Sequence, residues 1–162
     1  MEEKPEIGLL KGLVQTVCRN ADLCAAARQA APDEDWAGLL DRLRADHGSL
    51  LRDLLGCLML RDLPAREVRQ LVMDTVPPEG EAPARPARKD FSFFRSDLEH
   101  AEQHLEDSLR CLLAGGAMRD AELELLSLHY LKMPLRLRDL ASMEERPAMA
   151  FPEPSMLSER LH

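Results

Sequence analysis

From Trp36 to Leu58 one series of residues repeats in steps of three and four: Trp36, Leu40, Leu43, His47, Leu50, Leu54 and Leu58. Only a helix of 3.6 residues per turn gathers such a series onto one side. A helix with one apolar side must bury it against other helices. The pattern recurs three more times. A first helix is expected from about Pro5 to about Ala30, with Ile7, Leu10, Val14, Val17 and Ala21 as its stripe. A third begins near Asp90 and carries Phe91, Phe94, Leu98, Ala101, Leu105, Leu109 and Leu112, until Gly115 and Gly116 stop it. The fourth begins near Asp120 and shows Leu123, Leu126, Tyr130, Met133, Leu137 and Leu140. Pro134 falls within it, so this helix either kinks there or ends and gives way to a short one.

The connections follow from the breakers. Pro32 ends the first helix, and Asp33 or Asp35 can cap the second, which ends near Arg61. A shorter helical segment, "LPAREVRQLVMDTV", places Val68, Leu71 and Val72 on one side. Residues 77–89, "PPEGEAPARPARK", read as a mobile linker. Residues 143–162 form a Pro- and Met-rich tail without sustained period, in which Met149, Phe151, Met156 and Leu157 are apolar anchors able to dock. The expected fold is therefore all-α: an antiparallel four-helix bundle over residues 1–142, made of two helical hairpins joined by a long crossover that carries a short helix.

Charge narrows the partners. A net charge of −8 and a pI near 5.1 argue against nucleic acid, which needs a positive surface. No run approaches the 18 or so uninterrupted apolar residues of a membrane span. The opening "MEEKPEIG" lacks a signal peptide's basic start, so a cytoplasmic location is expected. Cys18, Cys24, Cys57 and Cys111 stand singly inside helical segments, as small hydrophobes of a reducing compartment do. No glycine-rich phosphate loop, GxSxG or HExxH occurs, so no enzyme activity is expected.

Two histidine settings could hold a metal. In "EHAEQHLED" (99–107), His100 and His104 share one side of the third helix. On a wheel of 100° per residue they lie roughly 145° and 105° from the apolar centre, whereas Glu102 lies roughly 55° from it. The two histidines thus form a surface pair with Asp97, Asp107 and Cys111, and Glu102 sits at the core boundary. His47 lies only about 20° from the centre of the second helix's apolar face, where it must hydrogen-bond or bind something. Glu102, Glu122 and His129 are its candidate partners, the last two flanking the fourth helix's stripe.

The stretches "LLDRLRADHGSLLRDL", "EHAEQHLEDSLRCLLAGG" and "AELELLSLHYLKMPLRLRDL", spread over residues 7–140, resemble the small bacterial ferritin-like four-helix-bundle proteins of unknown function. That resemblance implies a helical bundle. In the wider superfamily it also implies two metals held by a Glu from each of two helices and Glu-x-x-His from the others. Here the chain departs: Arg44 stands where a ligand glutamate would precede His47, Glu122 and His129 are seven apart, and Asp22 lies roughly 95° off the first helix's apolar face. "LRADHGSLL" also resembles the His-bearing helices of hemerythrin-like bundles, which would need more inward histidines than this chain has. The expected function is non-catalytic, through self-association or a protein partner and without a cofactor. The alternative is a divalent metal ion bound around His47 and Glu102.

Overall fold

The computed structural model describes residues 3–74 and 91–143. They form five helices: α1 (Pro5–Gln29), α2 (Glu34–Leu60), α3 (Ala65–Met73), α4 (Phe91–Ala114) and α5 (Asp120–Met143). No strand occurs among them, as a Leu- and Ala-rich chain poor in β-branched residues requires. The linker at 77–89 and the tail beyond Met143 lie outside the described residues.

Local chemistry sets the ends. Pro5 takes the first position of α1, where its missing N–H is no loss. The Asp33 carboxylate accepts from the Trp36 N–H at 2.9 Å and caps α2. Asp62, with φ of 61°, turns the chain after α2. Gly116, with φ of 72°, does so after α4, where a side chain would be strained. Pro134 does not end α5: the helix runs through it, with the ring turned to solvent.

The long helices pack in a ring. α1 lies against α2 and α4, and α5 lies against α2 and α4, with no close approach across the diagonals among the described residues. Leu10, Leu58, Leu112 and Leu126 share one apolar cluster, and Ala27, Trp36, Leu98 and Leu140 share another. One end of the ring therefore holds the starts of α1 and α5 with the ends of α2 and α4. So α1 and α5 run one way, and α2 and α4 run the other. α3 seats Val68 and Leu71 on α1 and α2 at the first of these ends. No helix among the described residues is long and apolar enough to cross a membrane.

The buried face of α5 differs from its expected stripe. Leu126, Met133 and Leu140 are buried, but so are Glu122, His129 and Arg136, while Leu123, Tyr130 and Leu137 are only partly covered. The helix is turned by roughly 60° relative to the leucine pattern. Its polar residues explain the turn. Glu122, His129 and Arg136 stand at heptad spacing and meet Arg61, Asp53 and Asp46 of the antiparallel neighbour in order.

Candidate functional site

The two apolar clusters are separated by a polar layer to which every long helix contributes. Asn20 of α1 donates from Nδ2 to the Ala101 carbonyl of α4 at 2.9 Å. His47 of α2 and Glu102 of α4 meet with Nε2 and Oε1 2.5 Å apart. Cys24 of α1 places Sγ 3.8 Å from the other ring nitrogen, Nδ1. Arg136 of α5 donates from Nε to Asp46 at 3.0 Å. Each side chain occupies a stripe position: Cys24 follows Val14 and Val17, His47 stands between Leu43 and Leu50, and Glu102 between Leu98 and Leu105.

Cys24 and His47 are 0% exposed and Glu102 is 2%. Burial, reinforced by the Glu102 carboxylate, pushes the Cys24 thiol up to about 12 against the opposing pull of Arg44 and Arg136. The sulfur is therefore protonated at neutral pH. The His47 ring is thus bracketed, with the thiol beside Nδ1 and the carboxylate at Nε2. Arg136 is also buried, yet its Nη1 and Nη2 have no hydrogen-bond partner.

Of the residues expected at a core site, the structure joins His47 to Glu102 and takes Glu122 and His129 elsewhere. Glu122 pairs with Arg61 and accepts from the Arg119 N–H at 3.0 Å. His129 Nε2 bonds Asp53 Oδ2 at 2.6 Å. His100 and His104 face solvent, as the wheel places them, and the His100 ring donates from Nδ1 to the Ser96 carbonyl of its own helix at 2.8 Å. Among the described residues, the one group of His, Cys and carboxylates with converging ligand atoms is Cys24, His47 and Glu102. Cys24 was hidden because a thiol on an apolar stripe reads as a small hydrophobe. Arg136 and Asp46 were hidden because the leucines of α5 point to a different face.

A two-metal carboxylate site does not fit these residues. The one buried polar residue of α1 is Asn20, Arg44 is exposed, and Glu122 and His129 are held by their own partners. Compared with protein-family models, curated proteins and solved structures, the chain matches none.

Proposed function

We propose that this chain is a non-catalytic, antiparallel four-helix bundle of ferritin-like topology that acts by associating with a second copy of itself through α5. The ring order α1–α2–α5–α4 and the opposed helix directions support the topology. The enclosure of the Cys24–His47–Glu102 cluster, 2% exposed at most, supports a role without turnover, since no substrate reaches it.

One observation carries the association reading. Leu128, Leu131 and Leu135 are 57%, 67% and 58% exposed, on the side of α5 opposite its buried residues. Single exposed leucines are ordinary, but a helical stripe of them is a contact surface. A second copy suits this face. If two α5 helices cross antiparallel at Leu131, the exposed Glu124 of one meets the exposed Arg138 of the other, and the leucines cover one another. The acidic chain thereby gains a pairing that does not rely on a basic partner.

Analytical ultracentrifugation of the full-length chain tests this. The wild type is expected to sediment as a dimer. Leu131→Glu is expected to sediment as a monomer with unchanged helix content, because Leu131 supports no core contact. Glu124→Arg should weaken the dimer, and Arg138→Glu added to it should restore it. A wild type that stays monomeric at high concentration overturns the reading. If a chain ending at Met143 dimerises where the full chain does not, the occupant of the stripe is residues 144–162 rather than a second copy.

A further inference from the structure

Cys24, His47 and Glu102 have a chemistry that association leaves unused. A sulfur, a ring nitrogen and a carboxylate oxygen, one from each, all lie within 4.8 Å of one another, and all three residues are buried. They come from three different helices, so their meeting is a property of the fold and not of sequence proximity. A thiol, an imidazole and a carboxylate packed together in an apolar interior carry a desolvation cost that only well-matched partners offset. Three apolar side chains would fill the same space without that cost.

A divalent cation offsets that cost. One thiolate, one carboxylate and a neutral imidazole around an ion of charge +2 sum to zero. The donor set also selects the ion. Thiolate with imidazole suits zinc at low coordination number, whereas Mg²⁺ and Ca²⁺ want several oxygens. We propose that Cys24, His47 and Glu102 bind one Zn²⁺ per chain. When the sulfur–zinc bond forms, the Cys24 proton leaves to solvent. The imidazole binds as the neutral ring, with its one proton on the nitrogen the metal does not take, and any second proton leaves to solvent with that of the thiol. The hydrogen bond between His47 and Glu102 gives way to a metal bond from each. Arg136 provides an independent mark on the same layer. Its Nη1 and Nη2 are buried and have no hydrogen-bond partner. Because the site is sealed, loading is expected to be slow in the folded chain and fast during refolding.

Cobalt is the probe. The untagged full-length chain, with the exposed Cys111 changed to Ser, is unfolded, stripped of metal with a chelator and refolded with Co²⁺. One Co²⁺ per chain with a thiolate-to-cobalt charge-transfer band is expected, and equimolar Zn²⁺ should abolish the band. Cys24→Ser should lose the band and weaken Zn²⁺ binding by more than the about 100-fold that loss of an outer-shell partner can cost. His100→Ala with His104→Ala should change neither. A folded chain without the band, or a band that survives Cys24→Ser, overturns the proposal. If Cys24→Ser does not fold, the wild type decides: Zn²⁺ but not Mg²⁺ should raise Tm, and no rise overturns it.

Discussion

Glu122 shows how a single buried acid is kept charged. Burial alone would raise its pKa, but hydrogen bonds from the Arg61 side chain, the Arg119 N–H and the Cys57 thiol hold it below the usual glutamate value. The same carboxylate, after burial, pushes the Cys57 thiol up to about 12. A carboxyl with a depressed folded pKa contributes stability above its unfolded pKa and loses that contribution as pH falls through the folded value. Denaturant melts of the wild type should therefore lose stability on acidification through and below the ordinary carboxylate range. Glu122→Gln should be less stable at neutral pH by about 3 kcal/mol, the low end for breaking a buried pair, since the amide oxygen still accepts from Arg61. Its acid slope should also be shallower, and an identical slope would remove Glu122 from the account. At this scale the sequence was partly legible. His47 announced itself by standing in a leucine stripe, and Glu102 by its position at the core boundary. Cys24 could not, because nothing in its neighbours separates a site thiol from a packing thiol.

Helix boundaries were the most legible feature, because capping and breaking chemistry is local. Asp33 is the sharpest case, a carboxylate placed to receive the Trp36 N–H. Asp33→Ala should lower stability by about 1 kcal/mol, read as a fall in Tm, whereas Asp33→Asn should leave it nearly unchanged. Equal losses in both would assign the effect to charge at the helix start instead of the cap. The facing of α5 was not legible. Leucines at 123, 125, 126, 128, 131, 135, 137 and 140 ring the helix, so its apolar pattern alone is ambiguous. What settles the rotation is non-local: Asp46 and Asp53 of α2 and Arg61 just past its end meet Arg136, His129 and Glu122. That rotation leaves Leu123, Tyr130 and Leu137 only partly covered and sets Leu131 directly opposite the core.

Across the whole molecule, the polar layer divides the core into two apolar clusters and ties all four long helices at one level. Buried polar contacts of this kind select one register among the many that leucine stripes would allow. The proposed zinc ion would sit in that layer, whereas the proposed self-association would use the opposite side of α5; the two fail independently. The central claim is the second, and cross-linking tests it most directly. In a Cys111→Ser background, Leu131→Cys places a thiol on the proposed two-fold axis, opposite its own copy, where facing helices can bring Cα atoms within disulfide reach. Leu125→Cys instead stands off the proposed contact face and does not meet its own copy. Mild oxidation should convert Leu131→Cys, and not Leu125→Cys, to a covalent dimer on a non-reducing gel. If neither links, or both link equally, two copies do not meet at Leu131 of α5.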